Sequence, residues 1–269
     1  MTTTFNDKEL RLRGVSVFHL HTVLLKSVQA AGLDVNSAKV YDLEPDLKSN
    51  DFGLIRRFGA NTICPRDGEL GAAYVDCLKG EDHVGRANVM LSYSWGYKIK
   101  DIVTTLVQKC KEEKCDPKRT YVWICCLCNN QHRIGKVQVP FDEFHDTFYN
   151  TVTGVGTLWS MMSPWDKPLY LERVWCVFEL FVANTEKGVK SEIIMPEEEK
   201  KNMLNSIGNI DTSVFKALSN TRIEDAKASV AEDKKNILAL VKKIVGFNEF
   251  NKIVNELIRK WILRTLESV

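Results

Sequence analysis

The stretch GTLWSMMSPWDKPLYLERVWCVFELFVA (Gly156–Ala183) contains both patterns that decide the fold. Its first part, Gly156–Met162, is a short apolar run that ends at a proline-containing loop, as buried strands do. Its last part, Arg173–Ala183, carries apolar residues at the three- and four-residue spacing of a helix. The apolar stripe expected to face the sheet consists of Leu171, Val174, Phe178 and Phe181. The stretch therefore predicts a buried strand, a connecting loop and a helix packed on the sheet.

The same alternation of strand and helix extends outward from this stretch, beginning at about Gly85. Three further apolar runs have the composition of strands: ANVMLSY (Ala87–Tyr93), TYVWICCLC (Thr120–Cys128) and VKSEIIM (Val189–Met195). Helical patterns follow these strands at residues 99–110, in PFDEFHDTFYNTV (residues 140–152) and in PEEEKKNMLNSI (residues 196–207). Such alternation is typical of the α/β class, so we predict a parallel sheet of four to five strands with flanking helices.

Helical patterns on both sides of this region set the predicted domain boundaries. We interpret VSVFHLHTVLLKSVQAAGL (Val15–Leu33) as a helix that ends at Gly32, where glycine can adopt the left-handed conformation. Two lysine-rich helical segments, DAKASVAEDKKNILALVKKIVG and FNEFNKIVNELIRKWIL, follow the last strand. We therefore predict an N-terminal helical extension packed on the core at residues 1–84, an α/β domain at 85–210 and a C-terminal helical extension at 211–269.

Composition and charge argue against several classes of protein. The 269 residues are 44% hydrophobic and 27% charged, with a formal net charge of +2, so no excess of positive charge favours nucleic acid as a partner. No apolar run approaches the length of a membrane span, and the first residues lack the apolar core of a signal peptide. We therefore expect a cytoplasmic protein whose eight cysteines are reduced thiols packed as small hydrophobic residues.

Polar and aromatic side chains follow the predicted strands, at the edge where parallel α/β sheets bind ligands. The candidates after the first three strands are Ser92, Tyr93, Trp95, Asn129, Gln131, His132 and Trp165. The structural alternatives are a strand-to-helix turn with a packed tryptophan and a capped polar turn at residues 129–133. The predicted helix adds Trp175 and Glu179, which share a face because four residues separate them. A solvated or ion-paired carboxylate is the structural alternative for Glu179.

Motifs for common cofactors and metals are missing or weak. The sequence contains no G-x-G-x-x-G, G-x-x-x-x-G-K-[ST] or G-x-S-x-G segment. Cys125 and Cys128 form a C-x-x-C pair, but neighbouring side chains of a strand point to opposite faces and no second ligand pair follows. We therefore predict a packed core there rather than metal or redox chemistry, and no bound cofactor. We interpret CPRDG (residues 64–68) as a salt-bridged turn; the alternative is that Arg66 contacts phosphates.

Two segments resemble parts of Toll/interleukin-1 receptor (TIR) domains. The first strand ends in LSYSWG (residues 91–96), and the later helix contains WCVFEL (residues 175–180), which is similar to the W-C-x-x-E-L helix of plant-type members. The resemblance covers residues 88–196. The flanking segments CPRDGELGAAYVDCL, NQH, PWD and DAKAS…EDKKNIL are similar to those of TIR-like proteins of algae and other microbial eukaryotes. The resemblance implies the flavodoxin-like sheet of TIR domains.

The resemblance also implies an activity. In enzymatic TIR domains a glutamate of this helix is required to cleave the bond between nicotinamide and ribose in NAD, and Glu179 is the matching residue. Cleavage of an N-glycosidic bond builds positive charge on the ribose, which a nearby carboxylate stabilises. Trp175 or Trp95 would then stack on a base, and Ser92 and Tyr93 would line the cleft. NAD would be a substrate and not a cofactor.

Three functions stay open on the sequence alone. The first is a nucleotide N-glycosidase that hydrolyses or cyclises NAD or a related nucleotide, with Glu179 as the essential carboxylate. The second is a non-enzymatic assembly or signalling module that associates with itself or with other proteins. The third is an enzyme similar to nucleoside deoxyribosyltransferases, whose related α/β fold also uses a glutamate. The expected partners are a small nucleotide and a second copy of the chain, with no nucleic acid and no membrane span.

Overall fold

The computed structural model describes residues 7–46, 51–134, 149–206, 218 and 220–267. The chain forms two compact units, one of residues 1–91 and 95–157 and the other of residues 92–94 and 158–269. Both units contain strands and helices, so the predicted α/β class is confirmed. The predicted helix at residues 140–152 lies largely outside the described residues, and its last four residues are helical.

Four strands associated with the first unit are hydrogen-bonded in the order β2-β1-β4-β3. Their bounds are Arg13–Ser16 for β1, Val84–Arg86 for β2, Val89–Ser92 for β3 and Tyr121–Ile124 for β4. β3 and β4 are parallel, as predicted, with Val89 opposite Val122. β1 is antiparallel to both of its neighbours, so this sheet is mixed and not parallel throughout.

β1 was not predicted from the sequence, because this strand is joined directly to a helix. Ser16 ends the strand, and its Oγ accepts a hydrogen bond from the backbone N–H of His19 at 3.0 Å, which caps the helix. Gly14 supports the strand assignment, because a Cβ there would lie only 3.0 Å from Ala87 and from the β4 backbone. Residues 1–84 are therefore not purely helical. The helix itself ends at Ala30, and Gly32 just beyond it adopts the predicted left-handed conformation, with a φ of +79°.

The helices described in the first unit are short, with the exceptions of α2 and α5. They are α1 (Asp7–Arg11), α2 (the consecutive segments Val17–His19, Leu20–Leu24 and Leu25–Ala30), α3 (Val40–Leu43), α4 (Leu54–Gly59), α5 (Ile99–Glu112) and α6 (Cys125–Cys128). α5 is the amphipathic helix expected after β3, and its apolar residues Ile99, Ile102, Val103, Leu106 and Cys110 are buried. The predicted strand Thr120–Cys128 is wrong in its second half, because the chain turns into α6 directly after β4.

The second unit contains the strand and helix patterns predicted for the later part of the chain. They are β5 (Thr157–Met161), α7 (Val174–Thr185), β6 (Lys190–Ile194), α8 (Glu197–Ser206), α9 (Ala231–Ile244) and α10 (Phe247–Glu267). The N–H of Met162 donates to the carbonyl of Ile194 at 2.8 Å, which joins β5 to β6. Phe181 of α7 stacks on Phe250 of α10 with ring centroids 4.3 Å apart. Among the described helices of the chain, none is long and apolar enough to cross a membrane.

Candidate functional site

Helix α7 is buried on most of its circumference, which is more than the single apolar stripe predicted for it. Its buried residues are Val174, Cys176, Val177, Phe178, Leu180, Phe181, Val182 and Ala183. Between Val174 and Ala183, only Trp175 and Glu179 are partly accessible. These two residues lie one turn apart and therefore share one face of the helix. The accessible face of α7 thus presents a carboxylate beside an indole.

The carboxylate of Glu179 is held by a serine at the end of β3. Ser92 Oγ donates a hydrogen bond to Oε2 of Glu179, although 87 positions separate the two residues in the sequence. Ser92 is only 1% exposed, so water does not compete for this hydroxyl. Both residues belong to the second unit. Two of the predicted site residues are therefore in direct contact.

A chain of buried hydroxyls continues from Ser92 into the interior. Ser92 Oγ lies 2.8 Å from the hydroxyl of Tyr170, which in turn lies 3.1 Å from Ser160 Oγ. A hydroxyl carries a single hydrogen, so Ser92 can donate to Glu179 or to Tyr170 but not to both at once. When Glu179 is ionised, Ser92 donates to it and accepts from Tyr170. The direction of donation along the chain therefore depends on whether Glu179 holds a proton.

The pKa values in this cluster are shifted by burial. Removal from water raises the pKa of Glu179 to about 7, and the hydrogen bond from Ser92 opposes that shift. Burial raises the pKa of Tyr170 well above its ordinary value, and nearby Cys176 and Glu179 add to the effect. Tyr170 thus stays a neutral donor at physiological pH. Glu179, in contrast, exchanges its proton near neutrality, which is typical of functional carboxylates.

The other candidates of the second unit have contacts of their own. The carbonyl of Tyr93 accepts a hydrogen bond from Cys176 Sγ at 3.4 Å, so the backbone after β3 is fastened to α7. Trp175 donates through Nε1 to Asp233 of α9 at 3.2 Å. The backbone N–H of Trp165 donates to the carboxylate of Glu199 on α8 at 2.7 Å. Tyr93 therefore lies against α7, which carries Glu179 and Trp175, and the indole of Trp175 is tied to α9. Trp165 is tied to α8.

Four predicted site residues belong to the first unit, where each has a structural contact. Trp95 Nε1 donates to Cys125 Sγ at 3.3 Å. Gln131 Nε2 and the backbone N–H of Asn129 both donate to the carbonyl of Cys125 at 3.1 Å. His132 Nε2 lies 3.0 Å from the carbonyl of Arg56. The polar loop at residues 129–133 thus mainly makes hydrogen bonds to the backbone of α6 and α4. These contacts agree with the structural alternative, a capped polar turn.

The CPRDG segment forms the predicted salt-bridged turn. Arg66 Nε lies 2.7 Å from the carboxylate of Asp76, whose side chain is fully buried. Asp67 accepts from Arg133 at 2.9 Å, and that hydrogen bond is the main reason why the pKa of Asp67 is lowered to about 2. In the described part of the chain, no cluster of three or more His, Cys, Asp and Glu side chains is arranged to hold a metal ion.

Sequence reasoning missed two members of the hydroxyl chain. Ser160 had a usable signal, since it is the only hydroxyl in the apolar run LWSMM and a buried hydroxyl needs a hydrogen-bond partner. Tyr170 had none, because nothing in DKPLYLE distinguishes it from a packed aromatic residue. Comparison with known proteins adds no further candidate: no family model, curated protein or solved structure matches this sequence.

Proposed function

We propose that the chain is a TIR-like nucleotide N-glycosidase, which cleaves or cyclises NAD or a related nucleotide and uses Glu179 as its essential carboxylate. The proposal rests on the accessibility and the hydrogen bonding of Glu179 within α7. It is partly accessible in an otherwise buried segment, and it is oriented by Ser92 and a chain of buried hydroxyls. Structural carboxylates are usually paired with a cation, whereas the partner that donates to Glu179 within the described residues is a neutral hydroxyl.

This environment suits the cleavage of an N-glycosidic bond. As the bond to nicotinamide breaks, positive charge moves onto the ribose, and a carboxylate in a site of low dielectric stabilises that charge strongly. Nicotinamide leaves as a neutral molecule, so no general acid is required. A cationic nicotinamide riboside would also favour the ionised form of Glu179. Trp175, one turn earlier, is the aromatic residue best placed on α7 to contact a base.

Product analysis with the full chain tests this proposal. The purified protein is incubated at low and high concentration with NAD, NADP and a panel of nucleosides and nucleotides, and released bases are followed by chromatography. We expect Glu179→Gln to lower base release on the order of 100-fold or more, because it removes the charge that stabilises the transition state. The matched control is Glu172→Gln, which changes a partly exposed glutamate just before α7 and should keep full activity.

Two results would overturn the proposal in different ways. A fully active Glu179→Gln variant would show that the protein is an enzyme but that Glu179 is not its essential carboxylate. Absence of base release at every concentration, with the protein folded, would favour a non-enzymatic assembly module in the cytoplasm. Self-association is measured in the same samples. Base release that appears together with self-association indicates an enzyme that needs oligomers, whereas self-association without base release indicates a module whose only role is assembly.

A further inference from the structure

The C-x-x-C pair at Cys125 and Cys128 lies in a helical turn and not in a strand. The chain leaves β4 at Ile124, and α6 spans the four residues that contain both cysteines. Residues three apart on a helix are neighbours on one face, with Cβ atoms about 5–6 Å apart. The reason for predicting a packed core, side chains on opposite faces of a strand, therefore does not apply.

The two thiols have unequal surroundings, as the two members of a reactive pair must. Cys125 is partly accessible, whereas Cys128 is completely buried. Trp95 Nε1–H donates to Cys125 Sγ at 3.3 Å, and the backbone N–H of Ile124 donates to Cys128 Sγ at 3.3 Å. A donor aimed at sulfur stabilises the thiolate, which is the reactive form of cysteine. A reagent in solution can thus reach Cys125, and Cys128 lies on the same helical turn behind it.

The loop that follows this turn holds its backbone in place by hydrogen bonds. The carbonyl of Cys125 accepts two hydrogen bonds, from the N–H of Asn129 and from Nε2 of the buried Gln131, both at 3.1 Å. Cys128 Sγ, by accepting from Ile124, lies beside the residue that directly precedes Cys125. No disulfide joins Cys125 to Cys128 in the structure.

We propose that Cys125 and Cys128 are a redox-active dithiol that undergoes exchange with low-molecular-weight disulfides. The Cys125 thiolate attacks one sulfur of the disulfide, forms a mixed disulfide and releases the first thiolate. Cys128 then loses its proton and attacks Sγ of Cys125, which closes the Cys125–Cys128 bond and releases the second thiolate. The protons of the two cysteines go to the two released thiolates. Two protein thiols are oxidised and one disulfide is reduced to two thiols, so atoms and electrons balance.

Burial gives the two cysteines different roles in this sequence. It raises the pKa of Cys128 to about 12, so this residue stays a thiol until the mixed disulfide forms beside it. Oxidation also weakens the hydrogen bond from Trp95 to Cys125 Sγ, because a disulfide sulfur is a weaker acceptor than a thiolate. The indole of Trp95, which packs on Tyr41 with centroids 5.6 Å apart, therefore reports the redox state.

The test uses the full chain in buffers of reduced and oxidised glutathione, followed by alkylation of free thiols and peptide mass spectrometry. We expect a reversible Cys125–Cys128 disulfide. Cys128→Ser should accumulate glutathione on Cys125, because the second attack is lost, and Cys125→Ser should leave Cys128 unmodified. Trp95→Phe should slow alkylation of Cys125 about 10-fold at pH 7, the effect of one lost hydrogen bond to a charged sulfur.

Cys126→Ala is the matched control, since it removes a buried thiol from the same turn and should leave the disulfide intact. The unaltered protein supplies a second readout that requires no variant to fold: Cys125 should be alkylated faster than the partly accessible Cys115. The proposal is overturned if the oxidised bond maps to another pair such as Cys110 and Cys115. It is also overturned if Cys128→Ser carries no glutathione on Cys125.

Discussion

At the scale of single residues, Glu179 combines an unfavourable environment with a defined hydrogen bond. Burial raises its pKa to about 7 from 4.5, so ionisation at neutral pH costs free energy that a lysine or arginine partner would normally offset. Ser92 recovers only part of that cost. Residues that destabilise the fold yet are held in place are typical of functional sites. Removing the charge at Glu179 should therefore stabilise the protein.

The first residue-scale prediction is that Glu179→Gln raises the free energy of unfolding by about 1–3 kcal/mol at pH 8. Glutamine keeps the shape and accepts from Ser92 but carries no charge. The folded protein binds the proton of Glu179 more tightly than the unfolded chain does, so the contribution of Glu179 to stability is fully present below pH 4.5 and is lost as pH rises through 7. Urea unfolding at pH 8 and pH 4.5 measures the difference in unfolding free energy between the variant and the wild type, which should vanish at the lower pH. An equal gain in stability at both pH values would contradict the argument.

The second residue-scale prediction concerns Ser92→Ala and rests on the proposed activity. The hydrogen bond from Ser92 lowers the pKa of Glu179, so its loss should move the midpoint of kcat/KM against pH upward from about 7 by about one pH unit. Ser160→Ala is the control, because Ser160 is equally buried but bonds to Tyr170 and not to Glu179. A midpoint unchanged in Ser92→Ala, or moved equally in both variants, would show that Glu179 does not control the profile.

At the scale of elements, local hydrogen bonding explains details that periodicity does not. Helix α5 ends in a Schellman motif, in which the N–H of Cys115 donates to the carbonyl of Cys110 and the N–H of Lys114 to that of Lys111. Lys114 occupies the position where glycine is usual, and its φ is +54°. A side chain in this conformation costs about 1 kcal/mol. The motif thus contains a correctable source of strain.

The element-scale prediction is that Lys114→Gly raises the free energy of unfolding by about 0.5–1 kcal/mol. Glycine adopts the left-handed conformation without a steric penalty, and the exposed lysine side chain makes no buried contact that would be lost. Lys111→Gly places the same change inside the helix and should instead destabilise by about 1 kcal/mol. Urea unfolding measures the change in the free energy of unfolding in each of the two variants. A loss of stability in Lys114→Gly would refute the strain argument.

At the scale of the whole molecule, the two units carry buried titratable groups of opposite kind. In the first unit, burial and the neighbouring His83 lower the pKa of His19 to about 4. Its unfolded form binds protons from pH 6.5 downward, so the first unit loses stability as pH falls from 6.5 towards 4. In the second unit, Glu179 causes loss of stability as pH rises from 4.5 through 7. The two units should therefore respond to pH in opposite directions.

Hydrogen exchange measured by mass spectrometry at pH 5 and pH 8, corrected for intrinsic exchange rates, tests this expectation. Between pH 8 and pH 5, amides of β1 and β4 should lose protection worth about 1–2 kcal/mol, and amides of β5 and β6 should gain a similar amount. His19→Gln should abolish the first change and Glu179→Gln the second. A single shift of the same sign in both units would contradict the assignment of these groups.

The sequence by itself determined the class of fold and most of its elements, because apolar periodicity and chain-breaking residues are local properties. It located β3, β5, β6, α5 and α7, and it placed Ser92 and Glu179 among the candidates. Only the tertiary structure decided the antiparallel pairing of β1, the contact of Ser92 with Glu179 and the hydroxyl chain through Tyr170. It also decided that Cys125 and Cys128 share a helical turn. These features depend on residues that are distant in the chain, or on where a strand stops against its neighbours, and neither is encoded in local periodicity.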